Sequence, residues 1–204
     1  MPVNLQKGQK VELKKSSGGV LQRVVIGLGW DEATPQKASG LLGALFGVQQ
    51  KPQSIDCDAS AFVCVNGKII SNKDIVYFGN LIHQSGAIQH MGDNLTGAGN
   101  GDDEQIVVNL KDLPPTYDKV IFVVNIYQAK ERNQHFGMIQ NAFIRVCDAD
   151  TNQELCRYNL SENYQNMTAM VFGEIYRYNG QWKFNAIGQA TSDNDIRALA
   201  RRFS

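Results

Sequence analysis

Residues 169–190 read AMVFGEIYRYNGQWKFNAIGQA, and the two residues in the middle, Asn179-Gly180, decide the fold. The flanking runs, 169–178 and 181–190, are rich in β-branched and aromatic residues and suit a pleated, half-buried surface. A two-residue turn joining such strands needs positive φ at both central positions, which Asn and Gly supply more readily than any other pair. The segment is therefore a β-hairpin.

Working outward, residues 141–148 lead through 149–153 into 154–160, a second hairpin. Upstream, residues 24–28, 59–65, 106–110 and 120–127 are short apolar runs bounded by Gly, Asn, Asp or Pro, which is how strands are punctuated. Residues 120–124 are apolar without interruption, as expected of a central strand covered on both faces. Many short strands at regular spacing predict a mainly β chain, a β-sandwich of two mostly antiparallel sheets, in preference to a barrel. One helix is predicted at the C-terminus. There Ser192 is a possible cap with Asp195 three residues on, and Ile196, Leu199, Ala200 and Phe203 form one apolar stripe. This helix is expected to close an edge or end of the sandwich. The 204 residues suit a single domain, 1–204. An insertion at 34–54 breaks the pattern; its GLLGALFG run is either a loop folded over its own domain or a short helix that docks on a partner or a membrane surface.

Twenty Lys and Arg balance twenty Asp and Glu, so nothing in the charge calls for a nucleic-acid partner. The N-terminal MPVNLQKGQKVELKK lacks the apolar core of a signal peptide, and no apolar run is long enough to cross a bilayer as a helix. A cytoplasmic location is expected. The four cysteines, Cys57, Cys64, Cys147 and Cys156, form no C-x-x-C pair. Cys147 and Cys156 flank a hairpin and could face each other, although a reducing compartment favours free, packed thiols.

The chemistry concentrates in residues 92–104, GDNLTGAGNGDDE. Asp93, Asp102, Asp103 and Glu104 are joined by the oxygen donors Asn94, Thr96 and Asn100, and no Lys or Arg occurs between Lys73 and Lys111. Four carboxylates without a local cation repel one another in a compact chain. A hard divalent ion would relieve this: calcium takes six to eight oxygens, whereas magnesium keeps most of its waters. Glycines 97, 99 and 101 would let the backbone turn its carbonyls inward. A solvated turn is the plain alternative. Asp56 and Asp58 stand two apart at the start of a strand, on one face and roughly 7 Å from each other, and could bridge toward the acidic loop. Residues 148–154 imitate the start of an EF-hand loop, but Gln153 stands where a glycine is required, so a hairpin turn is the better reading. No G-x-S-x-G, H-E-x-x-H or P-loop is present. His83, His90 and His135 are scattered, and Trp30 and Trp182 read as packing residues. The chain is not expected to be an enzyme.

Taken together and in order, GLGWD (27–31), DCDAS (56–60), the 92–104 loop, NAFIRV (141–146) and the 169–189 hairpin resemble the TerD family of tellurium-resistance proteins over nearly the whole chain. The resemblance implies a β-sandwich that binds calcium, as two neighbouring ions, and a stress role associated with tellurite resistance. By position, the implied ligands are Asp56, Asp58, Asp93, Asn94, Asp102, Asp103 and Glu104. The implied protein is a metal-ordered binding or scaffold module whose partners are other stress proteins of the same family, with the inner membrane surface as a possible location. Compared with the shortest members, the sequence departs in the 34–54 insertion. The alternative is a cysteine-dependent protein acting directly on tellurite, which needs a reactive, low-pKa thiol.

Overall fold

The computed structural model describes residues 2–15, 17–32, 54–92 and 101–204. The insertion at 34–54, apart from Ser54, and Asp93, Asn94, Thr96 and Asn100 lie outside the described residues. The strands are β1 (Val3–Leu5), β2 (Lys10–Glu12), β3 (Arg23–Glu32), β4 (Cys57–Cys64), β5 (Ile75–Val76), β6 (Ile88–His90), β7 (Glu104–Asn109), β8 (Lys119–Ile126), β9 (Ile139–Asp148), β10 (Glu154–Asn159), β11 (Ala169–Tyr178) and β12 (Gln181–Thr191). They form two six-stranded sheets, ordered β1-β10-β9-β3-β7-β6 and β2-β12-β11-β8-β4-β5. Every pairing is antiparallel except that of β1 with β10.

The deciding hairpin forms as its turn chemistry requires. Asn179 and Gly180 have φ of 50° and 76°, and Tyr178 pairs with Gln181. Side chains then alternate. From the first sheet, Val24, Ile26, Leu28, Ile106, Val108, Ile144 and Val146 point inward; they meet Ala59, Ala61, Val63, Val120, Phe122, Val124 and Phe184 of the second. Burying each larger aliphatic or aromatic side chain contributes about 1.5–3 kcal/mol, and this shared core holds the sheets face to face. Trp30 and Trp182 belong to it.

The continuous apolar run of β8 has the predicted cause. Ile121 and Val123 turn outward into a second apolar cluster with Phe62, Cys64, Ala169 and Val171, roofed by Leu199 and Ala200. The roof is the C-terminal helix α1 (Ile196–Ala200), followed by a 3-10 turn at Arg201–Phe203. The apolar stripe is as expected, with two corrections. The helix covers an outer face of the second sheet rather than an edge or end. Its cap is Asp195, whose carboxylate accepts from the Ala198 N–H at 2.7 Å, because β12 keeps the chain extended through Thr191.

The cysteines also differ from one expectation. Register places Cys147 opposite Glu154, and Cys156 opposite Val146. Cys156 therefore faces the core while Cys147 faces outward, on opposite sides of the sheet. All four cysteines are free and buried. The EF-hand imitation is the hairpin turn between β9 and β10, closed by the Asp148 carboxylate accepting from the Asp150 N–H at 2.9 Å.

Candidate metal centre

Three strand ends meet at one mouth of the sandwich. β3 arrives there at Glu32, while β4 and β7 depart from Cys57 and Glu104. The Glu32 carboxylate accepts from the Ile55 N–H at 2.7 Å, tying the approach to β4 onto the end of β3. Glu104 does the same between the sheets: its Oε2 accepts from the Ala59 N–H of β4 at 2.6 Å and is 2 % exposed. His90 completes this contact. Its Nδ1 accepts from the Gly92 N–H at 3.2 Å, so its Nε2 carries the proton facing the Ala59 carbonyl at 3.1 Å and Glu104 at 3.3 Å.

Asp103 sits where β3 and β7 begin to pair. Its own N–H donates to the Leu28 carbonyl at 2.8 Å, and its carboxylate accepts from the Trp30 N–H at 2.7 Å. Burial pushes the Asp103 carboxyl up; the Trp30 N–H opposes this, and the nearby charges of Asp31 and Asp102 push it further up. Negative charge is therefore crowded at this point.

Asp102 is held differently. Its carboxylate takes the Arg145 guanidinium at 2.6 and 3.0 Å and the Gln105 side-chain amide at 2.8 Å. The hydrogen bond that Arg145 donates to Asp102 is the first cause that raises the Arg145 pKa, so the guanidinium stays charged. The room for this pair comes from Gly27, the first residue of GLGWD: a Cβ there would overlap the Asp102 carboxylate. The acidic segment thus does have a cation of its own, delivered by β9 from more than forty positions away.

Asp58 alternates with the core-facing Cys57 and Ala59 and so lies on the outer face of the second sheet, while Asp56 precedes the first residue of β4. Asp58, opposite Asn125 in the register, is 4 % exposed, and its Oδ2 lies 3.4 Å from the Asn125 side-chain nitrogen. Asp56 has Arg132 at 3.9 Å. The Cys57 thiol between them is pushed up first by burial and then by Asp58, Glu104, Asp56 and Asp103, so these four carboxylates surround one buried position.

Five of the predicted donors therefore gather at one mouth: Asp56, Asp58, Asp102, Asp103 and Glu104. They do not point into a single shell. Asp102 faces out from the first sheet and Asp58 out from the second, and stacked sheets lie about 10 Å apart, so one ion cannot touch both. Among the described residues, no three His, Cys, Asp or Glu side chains converge as a ready metal cage. The donors are oxygens throughout, which suits a hard cation. Asp31 joins them, its carboxylate held by the Asn141 amide at 2.8 Å. Sequence reasoning missed it; the signal was the acidic end of GLGWD, far in sequence from any other carboxylate pair.

The histidines have partners that spacing could not show. His83 Nε2 faces Asp74 at 3.1 Å and its Nδ1 faces the Ser85 hydroxyl at 2.7 Å. Asp74 also accepts from Tyr117 and Gln84, and Ser85 Oγ accepts from the Ala87 N–H. The arrangement looks like a serine–histidine–aspartate relay, but its polar atoms serve to lock the 83–87 turn. His135 Nδ1 accepts from the Gly137 N–H and caps the short turn at Phe136–Met138.

The family model for the TerD domain matches residues 1–203. Stress response protein SCP2 of Bacillus subtilis (strain 168) is 45 % identical over 203 residues, covering 100 % of both chains. Tellurium resistance protein TerD of Serratia marcescens is 42 % identical over 190 residues, covering 93 % of this chain and 91 % of that one. The fold matches the crystal structure of a homologue of telluride resistance protein (TerD) from Streptomyces coelicolor A3(2), with a TM-score of 0.63 at 21 % identity, covering 90 % of this chain and 98 % of that one. The chain belongs to the TerD family, whose relatives carry the names of tellurium-resistance and stress proteins.

Proposed function

We propose that this protein is a calcium-ordered binding module of the tellurium-resistance and stress response, and not an enzyme. The observation that carries the reading is the crowding at Asp103: its half-buried carboxylate, held by the Trp30 N–H, is pushed up first by burial and then by Asp31 and Asp102, at a mouth where Asp56, Asp58 and Glu104 also meet. The proposed donors are Asp31, Asp56, Asp58, Asp93, Asn94, Asp102, Asp103 and Glu104, serving two calcium ions. Arg145 already opposes Asp102, and Glu104 is tied to Ala59 and His90. These two therefore brace the root of the loop, and Asp31 and Asp103 stand close enough for their charges to act on each other. Binding would neutralise the mouth and draw its strand ends together. The ordered surface would then recruit other proteins of the same family, in the cytoplasm or at the inner membrane face. Among the described residues, no helix is long and apolar enough to cross a membrane.

The cysteine-dependent alternative has the thiols against it. Burial raises all four, Cys64 and Cys156 to about 12, whereas a reactive cysteine needs an accessible thiolate.

Calorimetric titration with calcium tests the proposal. The wild type takes up calcium, and at a hundredfold excess over Kd its unfolding free energy rises by about 2.7 kcal/mol. Asp31→Asn/Asp103→Asn and Asp102→Asn/Asp103→Asn each lose at least one equivalent. In chelator, Asp103→Asn melts higher than wild type, because the amide keeps the Trp30 N–H as a donor without adding charge. An absence of calcium heat, together with melting indifferent to chelator, would end the reading.

A further inference from the structure

On the outer face of the second sheet, beside the N-terminal end of α1, lies a cavity of about 260 Å³. Its floor is Asp58 and Ser60 of β4 and Asn125 of β8, which are 4 %, 0 % and 6 % exposed. Ser60 Oγ and Asn125 Oδ1 are buried and have no hydrogen-bond partner among the described residues. The amide nitrogen of Asn125 is turned toward Asp58, which leaves its oxygen as the free end. A buried acceptor left unpaired is destabilising, and here two occur close to a carboxylate. All three floor groups can accept hydrogen bonds. Glu131 and Asp195 add carboxylates to the wall, and no Lys or Arg is among the described lining residues.

The rim has the opposite character. Phe78 and Tyr127 are 45 % and 39 % exposed, and Leu81 and Ile82 extend the apolar surface along the 77–83 segment. Tyr127 already carries a guanidinium, that of Arg132, with its carbon 5.1 Å from the ring centre. A deep acceptor floor under an apolar and aromatic lip matches a long side chain with an apolar stem and a charged, donor-only head. The volume points the same way: at roughly 30 Å³ per water it exceeds what a bare ion fills.

We infer that this cavity binds the guanidinium end of an arginine presented by a partner protein, with Asp58, Ser60 and Asn125 as acceptors and Phe78 and Tyr127 flanking the stem. The exposed apolar residues continuing beyond the rim favour a protein over a free amine, because they offer contact area that a small cation would leave uncovered. Asp58 is common to this site and to the calcium proposal, so calcium would compete with the guanidinium for that carboxylate, and the cavity is read by itself in chelator.

The test is an NMR titration of the full chain with three probes, in chelator and again in calcium: a short arginine-bearing peptide, the same peptide with glutamine at that position, and agmatine. The arginine peptide should shift the Asn125 side-chain amide and the Ser60 and Tyr127 backbone signals, while the glutamine peptide leaves them in place. Ser60→Leu, which fills the cavity, should weaken binding about tenfold or more. Glu131→Gln on the wall should weaken it severalfold without any risk to folding. Asp103→Asn should bind the peptide as wild type does while losing calcium, which separates the two readings. Equal response to both peptides, indifference to both cavity variants, or binding of agmatine without the arginine peptide would each overturn the inference.

Discussion

The Arg145 guanidinium shows how one side chain can decide what a loop needs. It bridges Asp102 at the mouth and Glu154 on β10, at 2.6 and 3.2 Å, and Arg157 holds Glu154 at 2.9 Å. The hydrogen bond from Arg157 comes first among the causes that keep the Glu154 carboxyl below its ordinary value, with Arg145 adding to it against burial. A carboxylate depressed on folding contributes stability above its unfolded pKa, and that contribution is lost as pH falls through the folded value. The margin by which wild type outlasts Glu154→Gln should therefore be full near neutral pH and shrink as pH drops below the usual glutamate range, as urea melts across that window would show. Gly27→Ala strikes the same network from below, since its methyl would occupy the space of the Asp102 carboxylate. A loss of about 1–3 kcal/mol is expected, and equilibrium unfolding measures it. At this scale the sequence was only half legible. The carboxylates were plain, but Arg145 as their counter-charge and Asp31 as their neighbour depend on which strands lie side by side, and spacing along the chain does not encode that.

Among the elements, legibility followed length. The hairpin at 169–190 and the buried strand at 120–124 could be read because turn chemistry and unbroken apolarity are local. β1 and β2 have three residues each, and β1 pairs with residues 156–158, most of the chain away. No local pattern marks such strands. The apolar stripe of α1 was visible, but its resting place was not, because a stripe states that a face is buried without naming what buries it. Leu199, fully buried against Phe62 and Val123 in the outer cluster, tests the docking. Leu199→Ala should cost about 2–4 kcal/mol and leave the main core intact. A urea melt would give the loss, and near-ultraviolet dichroism of Trp30 and Trp182 would show that core unchanged.

For the whole molecule, the fold concentrates charge at one mouth and seals its thiols elsewhere. Cys57 and Cys156 lie in the main core, Cys64 lies under the helix, and Cys147 is covered on the outer face of the first sheet. A thiol reagent should react slowly with the native chain and with all four cysteines at once in denaturant. Fast native labelling of any of them would revive direct thiol chemistry on tellurite. The sandwich could be inferred from the rhythm of strands and turns. The distribution of the donors over two outer faces and the space between could not, because it requires knowing that β3, β4 and β7 share an end.

The N-terminal dozen residues contribute the border strand of both layers: Val3–Leu5 lies beside β10, and Lys10–Glu12 lies beside β12. One short ribbon thus buckles the two layers along the same flank. A protease that nicks it between Leu5 and Lys10 would bare two rows of amide groups in a single event, and unclasped molecules would zip onto one another. The vulnerability of this protein to clumping therefore resides at its opening residues, well away from the acidic mouth.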